Sequence, residues 1–135
     1  MRKNMILSHI ALLSMVFATA HVVALKLSLY WTTGWFDLVM HLFGGFLGTL
    51  IVVYVLQKVG ISPRTLPRKM FLLAFVVISV FAIGVVWELW EIFIGFTDPF
   101  DKMVQVDTII DLVIGIIGSL VAFIFYDKRL RTKAE

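Results

Sequence analysis

Four runs of apolar residues, Met5–Leu27, Phe36–Val59, Met70–Phe96 and Val106–Tyr126, dominate the chain. Each is long enough to cross roughly 30 Å of hydrocarbon as a helix rising about 1.5 Å per residue. None contains proline. The breaks fall between them, at Trp31 to Gly34, at Gly60 through Pro63 to Pro67, and at Asp98 and Pro99. No stretch alternates apolar and polar positions as a membrane β-strand does. The pattern predicts an all-α, four-span antiparallel bundle that forms one domain over residues 1–135.

Composition names the solvent. Of 135 residues, 61% are hydrophobic and 16% charged, and mean hydropathy is +1.00. A soluble domain carries roughly 45–50% apolar and 25% charged residues, and one small core could not hide this excess. The chain is expected to be integral to a membrane, with lipid as its partner. The absence of cysteine removes thiol catalysis, thiolate metal sites and disulfides. A net charge of +3 does not point to nucleic acid, because no basic stripe interleaved with aromatics is present.

The basic residues instead set topology. Arg2 and Lys3, then Lys58, Arg64, Arg68 and Lys69, then Lys128, Arg129, Arg131 and Lys133 lie on one side, against only Lys26 and Lys102 on the other. Both termini are therefore expected in the cytoplasm, with the chain in the inner (plasma) membrane. Arg2 and Lys3, the apolar stretch from Met5 and the small residues Ala18 and Ala20 also resemble a signal peptide. The run continues through Leu25, long enough to span, so a retained first helix is expected.

The acids follow the opposite pattern. Asp37, Glu88, Glu91, Asp98, Asp101, Asp107 and Asp111 fall at the outer end, with Asp127 and Glu135 inside. Helix rise places His41 and Asp111, each five residues into its run, about 7 Å deep. Glu88 can reach the same level, and so can His21. Asp37 and His41, Glu88 and Glu91, and Asp107 and Asp111 are pairs three or four residues apart, each on one helix face. Carboxylates and imidazole on facing helices are the arrangement that holds metal in helical bundles. Oxygen and imidazole donors suit Mn, Fe or Zn, and Mg where oxygens dominate.

Each residue also has a plainer role available. Asp37 and Asp107, read as first-turn residues, can cap their helices. Asp98 and Asp101 read as a capped turn with Pro99 at the first helical position. His9 and His21, taken alone, read as packed or interfacial histidines. Trp31, Trp35, Trp87 and Trp90 read as an aromatic belt. Gly44 with Gly48, and Gly115 with Ser119, extended by Gly45 and Gly118, read as small faces for close helix packing. Capping does not account for Glu88 and Glu91 near the negative end of their helix, nor for Asp111 a full turn inside its own. An ionised acid at that depth costs on the order of a few kcal/mol on insertion scales. Protons, a basic residue or a bound cation must offset it.

From Trp35 to Phe125 the sequence resembles the VanZ-like and YjdF-like groups of small bacterial inner-membrane proteins. The signals are Asp37 and His41 with Gly44 and Gly45, then Trp87, Glu88 and Glu91, then Asp107 and Asp111 with Gly115 and Gly118. VanZ-like chains more typically carry Gln at Glu91 and Asn at Asp111, so the two acids pull this chain towards the YjdF-like pattern. The resemblance implies a membrane location and a link to the cell envelope, and it supplies no reaction.

The residues together lead to an outward-facing site that takes a divalent metal or protons and acts on an envelope lipid. Asp37, His41, Glu88, Glu91, Asp107 and Asp111 are the candidate metal ligands, with Glu91 also the base towards metal-bound water. A proton- or cation-coupled transporter and a non-catalytic envelope protein with structural acids stay open as alternatives. The sequence carries no signal for oligomeric state.

Overall fold

Each apolar run folds as a helix, and local chemistry at the ends decides where it stops. The computed structural model describes residues 2–60, 69–98 and 100–131. The helices are α1 (Arg2–Lys26), α2 (Leu29–Thr32), α3 (Phe36–Lys58), α4 (Lys69–Phe93) and α5 (Lys102–Arg131), with no strand among the described residues. α1, α3, α4 and α5 each contain a segment long and apolar enough to cross a membrane. The chain is a multi-pass membrane protein. The turn at 61–68 with Pro63, Pro67, Arg64 and Arg68, the placement of Pro99, and Lys133 and Glu135 lie outside the described residues.

The helices run beyond the apolar runs at the start of α1 (Arg2) and the end of α5 (Arg131), and two other ends differ from the expected ones for a local reason. α4 stops at Phe93 rather than Phe96 because Gly95 takes a left-handed conformation (φ 74°). The Phe96 amide then donates to the Glu91 carbonyl at 2.9 Å and the Gly95 amide to the Ile92 carbonyl at 3.1 Å. That pair of bonds closes orphan carbonyls of the last turn. α5 begins at Lys102, a turn earlier than Val106, because Asp101 Oδ1 accepts the Met103 amide at 2.8 Å. Asp98 Oδ1 accepts the Phe100 amide at 2.9 Å. The capped turn is thus made by the two aspartates, and the first helical position of α5 is Lys102. The cap assigned to Asp107 also falls, because that residue sits more than a turn inside α5.

Contacts between helices fix their directions. Gly45 faces Gly115, Thr49 bonds Ser119, and the Gln57 amide donates to the Tyr126 hydroxyl, so α3 and α5 run parallel. His41 lies beside Glu88 and Gly48 beside Val80, so α4 runs against α3. Phe17 meets Phe43 edge to face at 5.5 Å, while His21 reaches Tyr30, so α1 also runs against α3. Successive spans alternate, which puts the start of α1 and the end of α5 at one end of the bundle and the acids at the other.

The α3–α5 seam is the tightest. A Cβ at Gly45 would overlap the Gly115 carbonyl oxygen, and one at Gly118 would overlap the Leu42 carbonyl oxygen. Gly44 and Gly48 turn elsewhere, towards Phe17 on α1 and Val80 on α4. Thr49 and Ser119 are fully buried in the seam, with 2.7 Å between their hydroxyl oxygens. Thr49 also donates to the Gly45 carbonyl at 3.0 Å. Away from the acids, Val53, Leu72, Val76 and Phe123 form an apolar core shared by α3, α4 and α5. Large apolar side chains such as Met15, Ile78, Val86 and Ile109 point outward while Thr49, Ser119, Glu88 and Asp111 are buried. That inversion suits lipid, which solvates leucine but not a hydroxyl.

The split of basic residues supplies an expected direction for the alternating bundle. A reporter fused after Glu135 is expected to read cytoplasmic and one inserted beside Asp101 external. An external reading at the C-terminus would reverse the assignment.

Candidate metal centre

At the acidic end, three helices bring four ligand-bearing side chains to one level. Asp37 lies in the first turn of α3, and His41, one turn on, shares its face. Glu88 comes from α4 and Asp111 from α5. The imidazole is the hub. His41 Nε2 stands 3.4 Å from Asp37 Oδ1, 3.8 Å from Glu88 Oε1 and 3.9 Å from Asp111 Oδ2. One ligand atom from each of Asp37, His41 and Asp111 lies within 4.8 Å of the others. The relative depth of Asp111 comes from the Gly45–Gly115 contact, a turn away from both His41 and Asp111, and so survives the earlier start of α5.

Burial makes the cluster costly. Glu88 is 6% and Asp111 3% exposed. Thr108, three residues before Asp111 on its face, donates its hydroxyl to Glu88 Oε2 at 2.8 Å. Glu88 Oε1 and Asp111 Oδ1 are buried with no hydrogen-bond partner. Buried carboxylate oxygens are ordinarily satisfied, and leaving one bare costs about 1–3 kcal/mol or more when charged. One imidazole nitrogen carries at most one proton, so it cannot serve three carboxylates at once.

Around the hub runs a second set of contacts. Trp87 Nε1 donates to Glu91 Oε1 at 2.8 Å. Trp87 is therefore tied into the site rather than only a belt residue, while Trp31, Trp35 and Trp90 are exposed as expected. His21 does not join the ligands. Its Nδ1 lies 2.7 Å from the Tyr30 hydroxyl, and its ring meets Trp87 edge-on at 5.4 Å. Burial, then the nearby carboxylates of Asp37 and Glu91, hold the Tyr30 phenol above its ordinary range, and its neutral hydroxyl shares a hydrogen bond with His21 Nδ1 whose direction follows the imidazole tautomer. Tyr30 is itself packed by Phe36 and Phe96.

The structure thus brings Asp37, His41, Glu88 and Asp111 together. Glu91 is adjacent and engaged by Trp87. Asp107 is exposed; the mutually close set holds Asp37, His41 and Asp111, and Glu88 joins it through His41 alone, at 3.8 Å. Thr108 and Tyr30 escaped the sequence reading. Thr108 carried a usable signal, its position on the Asp111 face, whereas Tyr30 lies in a connection whose folding-back no periodicity announces.

A family model described as "Predicted membrane protein (DUF2238)" matches residues 1–132, and the chain belongs to that family. No curated protein and no solved structure matches it.

Proposed function

We propose that this member of a membrane-protein family binds one divalent cation through Asp37, His41, Glu88 and Asp111, and that the site serves hydrolysis of an envelope lipid. The orphaned oxygens Glu88 Oε1 and Asp111 Oδ1 beside His41 carry the reading. A cation held by Glu88 Oε1 and the Asp111 carboxylate would give these buried oxygens a partner and offset the repulsion among the acids. The size of the cluster supports it: one ligand atom each of Asp37, His41 and Asp111 lies within 4.8 Å of the others, and Glu88 Oε1 stands 3.8 Å from His41 Nε2. A cation that takes more than four ligands would leave a position for water or substrate beside these residues. Three carboxylates and one imidazole, without sulfur, suit Mn, Fe, Zn or Mg.

When bound, such a cation would polarise an ester or phosphoryl oxygen and make water more acidic. Glu91, one turn from Glu88 and held by Trp87, is the base. It takes the proton of the attacking water as the new bond to oxygen forms, and returns it to the leaving oxygen as the old bond breaks. The motif resemblance to the VanZ-like and YjdF-like groups supports the envelope assignment. Cation transport is less well supported, because beyond His41 the cavity wall is Leu47, Ile51, Val80 and Phe81 rather than further acids.

The test is elemental analysis of protein purified in mild detergent, wild type beside Glu88→Ala. One equivalent of metal in the wild type and none in the variant is expected. Equal trace amounts in both, with proton-coupled ion flux in vesicles, would replace this reading with transport.

A further inference from the structure

The polar centre is one end of a longer cavity. A void of about 230 Å³ runs from Asp37, His41 and Asp111 past Gly44 and Gly48 to Ile51 and Val80. Along α3 it extends from Asp37 to Ile51, about 21 Å at helical rise. Spread over that length, the void is a narrow slot rather than a broad vestibule. Beyond the acids its walls are apolar, and its width is created by glycines. Gly44 leaves room against the Phe17 ring, which stands 3.7 Å from where a Cβ would lie, and Gly48 leaves room against Val80 at 3.5 Å.

The slot lies over α3 between α1 and α4, and these two helices do not pack on each other along their length. At the acidic end His21 and Trp87 bridge them, edge to face at 5.4 Å. The bridge roofs the slot near the polar centre and leaves its apolar part open sideways. In a membrane that opening faces hydrocarbon.

We infer that the slot seats one hydrocarbon chain of a membrane lipid, which slides in between α1 and α4 and brings the oxyanion of its head group to the cation site. This deepens the functional reading above and rests on it for the head group. The dimensions fit. One leaflet contributes about 15 Å of the roughly 30 Å hydrocarbon core, which leaves the rest of the slot for the head. Charge fits as well. An anionic head would be repelled by Asp37, Glu88 and Asp111 alone; a divalent cation among them would offset two of the three charges and offer the head-group oxyanion a direct ligand contact.

The probe is a phosphatidic acid with a photoreactive diazirine in its acyl chain, diluted into phosphatidylcholine vesicles that hold the full chain. After illumination, labelled residues are mapped by mass spectrometry and metal content is measured on the same samples. Labelling is expected to concentrate on Gly48, Ile51, Val80 and Phe81. Gly48→Leu and, independently, Ile51→Phe should reduce it about tenfold or more, the equivalent of overfilling a packed site, with metal content unchanged. Retained metal shows that each variant is folded. Labelling spread evenly over outward-facing residues such as Leu12, Val86 and Ile109, or unchanged in both variants, would overturn the slot. Slot labelling in a wild type that holds no metal would uphold the chain site and overturn the cation reading on which the head group depends.

Discussion

Gly45→Ala and Gly118→Ala should each destabilise the bundle severely, while Gly44→Ala and Gly48→Ala should be close to neutral. All four glycines lie in small-residue faces of the sequence, so composition does not separate them. The structure does. The added methyl of the first pair would overlap backbone carbonyl oxygens across the α3–α5 seam, and no rotamer change can relieve a clash with backbone. The helices must part, which costs about 1–3 kcal/mol by analogy with overpacked cores. At the second pair the methyl would meet Phe17 or Val80 at ordinary contact distances, 3.7 and 3.5 Å, and alanine's helix propensity contributes up to about 1 kcal/mol in compensation. Because Gly45 and Gly115 lie one turn beyond His41 and Asp111, parting the seam should also pull the ligands apart. Thermal melting in detergent, with metal content on the same samples, checks both. A Gly45→Ala protein that melts like wild type would mean the seam is looser than described.

The second large effect is coupling among the ligands. Asp111→Asn, Glu88→Gln and His41→Ala should each weaken metal binding by more than the roughly 10–100-fold typical of losing an outer-shell partner. Any two together should cost little more than one, because the cation is lost at the first. In chelated protein the order reverses. Asp111→Asn and Glu88→Gln should melt at or above wild type, since each removes a buried charge and its repulsion with the other acids. Added metal should raise the wild-type melt, by about 2.7 kcal/mol in stability at a hundredfold excess over Kd, and leave the variants unmoved. Additive losses that ignore metal would mean that the acids act separately, as caps and surface pairs.

The spans were legible because lipid imposes a crude rule, a run of about twenty apolar residues, and four runs obeyed it. Their ends were less so. An Asn or Asp before a helix and a Gly near its end are weak signals, and here Asp101 moved one boundary and Gly95 another, which took the cap from Asp107. The meeting of Asp37, His41, Glu88 and Asp111 followed from side-chain spacing and shared depth. Depth counted from an incorrect α5 start still gave the right neighbours, because the glycine seam sets the register. Pairing of polar groups through space was not legible. Trp87 with Glu91, Tyr30 with His21 and Thr108 with Glu88 depend on rotamers and on a connection that folds back, neither of which periodicity encodes.

X-ray absorption at the edge of the bound metal tests the central claim most directly, in wild type beside His41→Ala. The account predicts one imidazole and several oxygens in the first shell, at about 2.0–2.2 Å for zinc, with the imidazole signature and the metal itself lost from the variant. A shell of oxygens alone, or an imidazole signature that persists without His41, would contradict it.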